Sequence, residues 1–250
     1  MRAIPASSTT SFLCLNSLVL VLAIGATVAF SEFTGIGFSK FPPWLFGLSL
    51  FYAGNLVCYK WLLIRTPRRT GIMAPGSRFE HEHNLLVLYF LFYLYPISFS
   101  KLLIPPFTSI WHRFLGARIG KASFPSACLI GDSQYVTVGD ECVLGANSIL
   151  SPHISVGNYY ALEKIELGNR VTIGVQSVVY GGVRIGDGAL VLPHSCVTPG
   201  ARIGPNEMWG GNPAKKVKVL KPGDRAWNGV PQTASPVWAG EKGLEIARGV

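Results

Sequence analysis

The stretch LGNRVTIGVQSVVYGGVRIGDGALVLP, residues 167–193, decides the fold of this chain. An aliphatic residue recurs in it at every sixth position: Leu167, Ile173, Val179, Ile185 and Val191. A step of six residues would scatter these side chains around an α-helix, which turns every 3.6 residues. The glycines that often follow them would interrupt a flat strand. The six-residue spacing therefore predicts neither a helix nor a flat strand, but a structural repeat.

The six-residue step continues on both sides of this stretch. One series consists of Val138, Leu144, Leu150 and Val156, and the other runs from Leu167 through Val197 and Ile203 to Trp209. Three such hexads make one three-sided coil of about eighteen residues, so the spacing predicts a parallel β-helix with an aliphatic interior. Eleven residues separate Val156 from Leu167 instead of six, and we expect about five residues within GNYYALEKIE to leave the coil as a loop.

Charged residues make up only 14% of the chain, and long uncharged runs occupy its first part. We interpret residues 1–114 as a membrane region with transmembrane helices at about 11–31 and 43–64. The first run is longer than the usual apolar core of a signal peptide, which favours an uncleaved helix. A third run, at about 84–104, is rich in aromatic residues and contains Pro96. These features favour a helix in the membrane interface over one that spans.

The charges that flank the second run predict its orientation. Between Gly35 and Arg78 there are six basic residues and no acidic one, and most follow the second run. The positive-inside tendency places that end in the cytoplasm, together with everything after it unless the third run spans. The net charge of +9 fits anionic lipid headgroups, and no nucleic-acid recognition motif accompanies it. Five cysteines without a CxxC pair indicate free thiols in a reducing compartment and no metal site.

Specific hexads carry a resemblance to a known family. VRIGDG, ARIGPN and the closing WGGNPAKKVK make the chain similar to the hexapeptide-repeat acyltransferases, and RFLGARIG after apolar segments resembles a membrane-attached member. The resemblance implies a left-handed parallel β-helix over residues 115–220, followed by a C-terminal extension at 221–250. It also implies a homotrimer that transfers an acyl group, most simply acetyl, from acyl-CoA bound between neighbouring subunits.

The resemblance gives His153, in SPHISVG, the role of general base. The family has a histidine about a dozen residues before a coil like IELGNRVTIG, and His153 lies twelve residues before Ile165. A neutral imidazole within hydrogen-bonding reach removes the proton of an acceptor hydroxyl as it attacks the thioester. A histidine that only occupies a corner of the solenoid is the alternative.

Residues near the end of the solenoid are implied to bind the donor. The resemblance places backbone contacts to the pantetheine arm around Pro193, Thr198 and Gly210. The phosphorylated end would meet the ammonium groups of Lys215, Lys216 and Lys218. PAKKVK has a simpler interpretation as a solvated basic end that caps the solenoid, and the two roles are compatible.

Polar residues are expected on the acceptor side, namely Asp132 in LIGDS, Asn147 in GANS and Glu163 or Glu166 in the loop. An acid there would orient His153 or hold a substrate hydroxyl. His194 is expected to be structural or to line the donor site. His81 and His83, in FEHEHN, are expected to form a polar flank of the third apolar run rather than a metal pair.

The sequence therefore predicts an acyltransferase whose acceptor is a hydroxyl or amine of a sugar, lipid or lipid-linked molecule. Thr172 stands where many soluble relatives of this kind have an aromatic residue, which favours an acceptor presented by the membrane. Two alternatives remain at this point. One is a non-catalytic trimeric membrane scaffold, and the other is a metalloenzyme like the γ-carbonic anhydrases, which would need three converging histidines.

Overall fold

The structure is a computed structural model that describes residues 4–36, 41–99, 107–157 and 159–220. The expected extension at 221–250 lies outside the described residues. Five α-helices precede or flank the first strands, and a π-helix at Phe90–Leu94 joins the third to the fourth. The helices are α1 Ala6–Thr34, α2 Phe41–Arg65, α3 Arg78–Tyr89, α4 Tyr95–Phe99 and α5 Phe107–Phe114.

Short strands make up most of the rest. They are β1 Gly71–Ile72, β2 Arg118–Ile119, β3 Phe124–Pro125, β4 Leu129–Ile130, β5 Val136–Val138, β6 Val143–Leu144, β7 Ile149–Ser151, β8 His153–Val156, β9 Tyr159–Leu162, β10 Ile165–Leu167, β11 Thr172–Ile173, β12 Val178–Tyr180, β13 Arg184–Ile185, β14 Leu190–Val191, β15 Cys196–Val197, β16 Arg202–Ile203, β17 Glu207–Gly210 and β18 Lys215–Val219.

Helices α1 and α2 form an antiparallel pair. The rings of Phe30 and Phe46 stack at one end of the pair, with centroids 4.4 Å apart. Gly54 of α2 faces Val19 of α1 so closely that an added Cβ would lie 2.7 Å from a Val19 methyl carbon. Both helices are long and apolar enough to cross a membrane, by length and composition. Small residues at the contact allow the two backbones to approach, as in membrane helix pairs.

The segment from α3 to α4 lies between this pair and the solenoid. Tyr89 and Leu94 are fully buried in a cluster with residues of α1, α2 and the start of the solenoid. Ser98, in α4, accepts a hydrogen bond of 2.9 Å from the Trp111 indole of α5. Because α5 leads directly into β2, this contact places the C-terminal end of the α3 to α4 segment near the start of the solenoid.

The solenoid has three parallel sheets, one on each face of the coil. The first face contains β2, β5, β10, β13 and β16; the second β3, β6, β11, β14 and β17; the third β4, β7, β12 and β15. Strand β18 pairs antiparallel with β17 and closes the second sheet. Glu166 pairs with Arg184 and Arg184 with Arg202, a step of eighteen residues per coil. The predicted left-handed parallel β-helix is confirmed.

The core and the corners show why the hexads specify this fold. Leu150, Ile173 and Val179 are completely buried and stack with the aliphatic residues of neighbouring coils. Residues with positive φ recur at every sixth position from Arg170 to Asn206. An added Cβ at Gly174 would overlap the backbone of Pro193 in the next coil. Glycine is therefore required where backbones of adjacent coils touch.

The expectation that Val156 belongs to the aliphatic interior of the coil is wrong. Its side chain is 69% exposed, because it lies in an antiparallel hairpin of β8 and β9 rather than in the core. Leu150 pairs with Val179, 29 residues later, whereas regular coils advance by eighteen, so eleven residues are inserted instead of about five. Gly157 adopts φ +57° in the hairpin turn. Val156 matches the hexad spacing, but the chain has already left the coil after Ser151.

A second irregularity lies at the same corner, one coil earlier. Val138 follows Ile130 by eight residues, and a 3₁₀ turn at Ser133–Tyr135 takes up the additional length. We call the corner after the third face the third corner. The two irregular segments therefore lie next to each other at the third corner. Because irregular segments on a rigid scaffold often carry functional residues, we expect a functional site at this corner.

Candidate active site

Asp132 and His153 face each other at the third corner. Ile130 pairs with Leu150, so the residues that follow these two positions occupy adjacent rungs. Asp132 has φ 41° at the start of the 3₁₀ turn, a left-handed conformation that aspartate tolerates better than most residues. His153 is the first residue of β8, and its Nδ1 donates a hydrogen bond of 2.6 Å to Asp132 Oδ2. The Asp132 side chain is only 9% exposed.

This contact determines the chemistry of the imidazole. A carboxylate that accepts from Nδ1–H leaves Nε2 as the nitrogen with a free lone pair, so Nε2 is the proton acceptor. The hydrogen bond from His153 to Asp132 raises the pKa of His153 above its ordinary value, against the opposite effect of burial. Burial disfavours ionisation of Asp132, but the hydrogen bond from His153 and the nearby imidazoles hold the pKa of Asp132 below its ordinary value.

His83 and Tyr160 complete the cluster. His83 comes from α3, is 2% exposed, and places Nε2 3.7 Å from Asp132 Oδ1. The same nitrogen and the Tyr160 hydroxyl of β9 form a hydrogen bond of 3.1 Å. The Tyr160 ring lies nearly parallel to that of His153, with centroids 5.9 Å apart. Burial lowers the pKa of His83, and the neighbouring Asp132 carboxylate acts against this effect.

The cluster opens into a crevice of about 370 Å³ between the helices and the third corner. Asp132, His153 and Tyr160 line it together with Ser155. Its other lining residues are mostly apolar and come largely from the segment α3 to α4: Val87, Phe90, Leu91 and Tyr95, with Met73 and Leu129 opposite. The volume is at the lower end of the range for ligand pockets.

The structure separates the other expected acceptor residues from His153. Asn147 occupies the corner after the second face, with φ 56°, and does not line the crevice. Glu163 follows β9, where its backbone N–H donates to the Pro152 carbonyl at 3.0 Å, and its Cβ faces Gly181 in the next coil. Glu166 lies on the first face in an ion pair of 2.9 Å with Arg184. Of the expected acceptor residues, the structure brings only Asp132 to His153.

The expected donor residues lie further along the solenoid. Thr198 follows β15 at the third corner, two coils beyond His153, or about 10 Å at the usual spacing of paired strands. Pro193 lies at the corner after the second face, and Gly210 ends β17 on that face. Within one chain these residues do not form a single pocket with His153.

The three lysines lie on β18, at the end of the second sheet. The Lys216 ammonium is 2.5 Å from Glu207 Oε1, and this contact, with bonds from Trp209 and Gly204, lowers the pKa of Glu207 to about 2. Glu207 therefore remains ionised and holds Lys216, so a phosphate would have to compete for this side chain.

The sequence did not indicate His83 or Tyr160. His83 was expected to be a polar flank, but it is buried against Asp132 and Tyr160. Its neighbour His81 instead contacts Ser8 of α1, with Nδ1 3.0 Å from the hydroxyl. His194 has φ 58° and is exposed after the second face. Among the described residues, no group of three or more histidine, cysteine or acidic side chains is arranged to hold a metal ion.

Comparisons with known proteins agree with the repeat. A model described as the hexapeptide repeat of succinyl-transferase matches residues 135–158 and 164–191. A putative acetyltransferase of Bacillus subtilis is 30% identical over 106 residues, which cover 40% of this chain and 62% of that protein. The mitochondrial γ-carbonic anhydrase 1 of Arabidopsis thaliana is 30% identical over 177 residues, covering 61% and 62% of the two chains.

A solved structure is also similar to part of the chain, at lower identity. It is a hexapeptide-repeat acetyltransferase of Vibrio cholerae in complex with acetyl coenzyme A, 19% identical, with a TM-score of 0.42. The match covers 50% of this chain and 83% of that one. The chain spans less than two thirds of the length of either curated relative.

Proposed function

We propose that this hexapeptide-repeat protein is a membrane-attached acyltransferase. It transfers an acyl group, most simply acetyl, from acyl-CoA to a hydroxyl or amine of a sugar, lipid or lipid-linked acceptor. The observation that carries the proposal is the His153–Asp132 hydrogen bond of 2.6 Å, which leaves Nε2 as a proton acceptor at the mouth of a crevice. The similarity to a putative acetyltransferase over 106 residues supports it.

The proposed reaction needs a general base, His153, and a group that stabilises the imidazolium formed when His153 accepts a proton. Nε2 of His153 takes the proton of the acceptor hydroxyl while that oxygen bonds to the thioester carbonyl carbon. The carbon–sulfur bond then breaks, and the imidazolium returns the proton to the departing thiolate of coenzyme A. Asp132 holds the ring orientation and stabilises the imidazolium during the transfer, as the carboxylate does in hydrolase triads. His83 and Tyr160 hold Asp132 and the His153 ring in place.

We place α1 and α2 across the membrane with both ends of the pair in the cytoplasm, where the solenoid also lies. The length and apolar composition of the two helices support a membrane span. Arg65 is the last residue of α2, and Arg68 and Arg69 follow it closely, as expected for a cytoplasmic boundary. Ser98 contacts Trp111 on the solenoid side, which supports an interfacial position for the third apolar run.

A trimer would bring the donor residues to His153. Pro193 and Gly210 lie on a different side of the same solenoid, so a neighbouring copy is needed to present them at the third corner. The pantetheine arm would run along the groove between subunits toward Lys215, Lys216 and Lys218. We therefore propose a homotrimer with three shared sites.

The test is acyl transfer by the full-length protein in detergent, with radiolabelled acetyl-CoA and a membrane lipid extract as acceptor source. His153→Ala should lower the rate by about 10²–10⁴-fold, since a positioned base contributes this much. His81→Ala is the matched control, because His81 contacts Ser8 and not Asp132. Unchanged transfer by His153→Ala would contradict the proposal.

The two alternatives predict different measurements. A metalloenzyme of the kind named among the relatives would purify with about one zinc per site, bound by three histidines. A non-catalytic scaffold would bind no acyl-CoA in calorimetry. We expect acyl-CoA binding and no stoichiometric zinc.

A further inference from the structure

The crevice beside His153 has an apolar wall that extends away from the catalytic cluster. Val87, Leu91 and Tyr95 lie four residues apart on one face of the segment from α3 to α4, and all three line the crevice. His83, at the start of this row, is the residue that contacts Asp132. From His83 to Tyr95 a helix rises about 18 Å. The apolar row therefore leads from the base toward the end of the third apolar run.

This wall belongs to helices that border the proposed membrane. The Leu91 side chain is 46% exposed and that of its neighbour Phe92 is 64% exposed. Phe92 contacts Phe12 of α1, with ring centroids 5.3 Å apart. Ile4, which precedes α1, lines the crevice as well. A hydrocarbon chain that leaves the bilayer beside α1 can therefore reach His153 along apolar surface.

The charges of the residues that line the crevice indicate which of the two substrates it binds. Its charged lining residues are Glu80 and Asp132, and no lysine or arginine is among the described lining residues. Phosphate groups are disfavoured next to these carboxylates. The basic residues proposed for the donor lie on β18, at the opposite end of the solenoid. The crevice therefore suits the acceptor and not the phosphorylated donor.

We infer that the crevice binds the hydrocarbon chain of a membrane lipid alcohol, whose hydroxyl, with no phosphate next to it, is the acyl acceptor at His153. This inference rests on the proposed function and narrows its acceptor class. A hydroxyl enters an apolar crevice at lower cost than an ammonium group, because burial of a charge carries a larger desolvation penalty. The polar cluster at one end and the apolar row along α3 to α4 match the two parts of such a molecule.

The first test compares chain lengths. Transfer from acetyl-CoA to 1-butanol, 1-octanol and 1-dodecanol is measured with the wild type and with Val87→Trp, which fills the crevice. The wild-type to variant rate ratio cancels partition of the alcohols into detergent. Each methylene that loses its site costs up to about fourfold in affinity, so the ratio should rise with chain length, by about tenfold or more between 1-butanol and 1-dodecanol.

Val57→Trp is the matched control for this series, because Val57 of α2 is 68% exposed and does not line the crevice. It should behave like the wild type at every chain length. A rate ratio for Val87→Trp that is the same for 1-butanol and 1-dodecanol would overturn the lipid inference, while leaving the acyltransferase proposal in place.

The second test measures binding without turnover. A hexadecanol probe with a diazirine near its chain end is photolysed with the protein in the absence of donor, and labelled peptides are mapped by mass spectrometry. Label should fall within residues 84–95 and be displaced by hexadecanol more strongly than by palmitoyl-CoA. Stronger displacement by palmitoyl-CoA would assign the crevice to the donor chain and overturn the inference. Label in this segment without transfer to any acceptor would retain the lipid site and refute the proposed function.

Discussion

At the scale of single residues, the account depends on one carboxylate and one imidazole. Asp132 is almost completely buried, and its contact with Nδ1 is the reason that His153 is both oriented and more basic than usual. His153 must be neutral to accept a proton. The rate of transfer therefore falls as the pH falls through the raised pKa of His153.

Asp132→Asn tests this link. The amide has no charge with which to stabilise the imidazolium, so the pKa of His153 should fall toward or below its ordinary value. The acid limb of the kcat/KM profile should move to lower pH, and the rate on the plateau should drop. The measurement is the pH dependence of kcat/KM for both proteins. An acid limb that stays in place would show that His153 is not the titrating base.

The residues of this site were predictable to different degrees. His153 was implied by the family resemblance, because its place before a regular coil matches a local motif of that family. His83 is separated from Asp132 by 49 residues of sequence, and FEHEHN has no pattern that distinguishes a buried histidine from a polar flank. Only the packing of α3 against the third corner brings it to the carboxylate.

At the scale of elements, the hexads predict the regular coils but not the segments that are inserted between them. The strands from β10 to β17 lie where the second series predicts them, since each aliphatic residue stacks on its equivalents eighteen residues away. The hairpin of β8 and β9 was not predictable from this period. Its strands pair with each other and with β1, outside the three sheets of the coil.

Two adjacent residues of β7 test whether the side chain at the hexad position points into the core. Leu150 is completely buried and Ile149 is 37% exposed. Leu150→Ala should lower the free energy of unfolding by about 2–5 kcal/mol, because it leaves a cavity in the core. Ile149→Ala should cost less than about 1 kcal/mol. Denaturant unfolding of both variants in detergent measures the difference, and equal losses would refute the inward orientation of the hexad position.

At the scale of the whole molecule, the helices and the solenoid share one site. The crevice has a wall from α3 to α4 and a wall from the third corner, so neither part forms it alone. The composition of residues 1–114 predicted apolar helices, but not that one of them would line a crevice beside His153. Under the proposed function, an acceptor would reach His153 from the membrane side and the donor from the other end of the solenoid.

A structure of the full-length protein with bound acetyl-CoA, determined by electron cryomicroscopy, tests the central claim most directly. The distance to measure joins His153 Nε2 to the carbonyl carbon of the donor thioester. We predict about 3–5 Å, since the acceptor oxygen must lie between the two atoms within hydrogen-bonding reach of the ring. A thioester that lies more than about 10 Å from every His153 of the assembly would contradict the account.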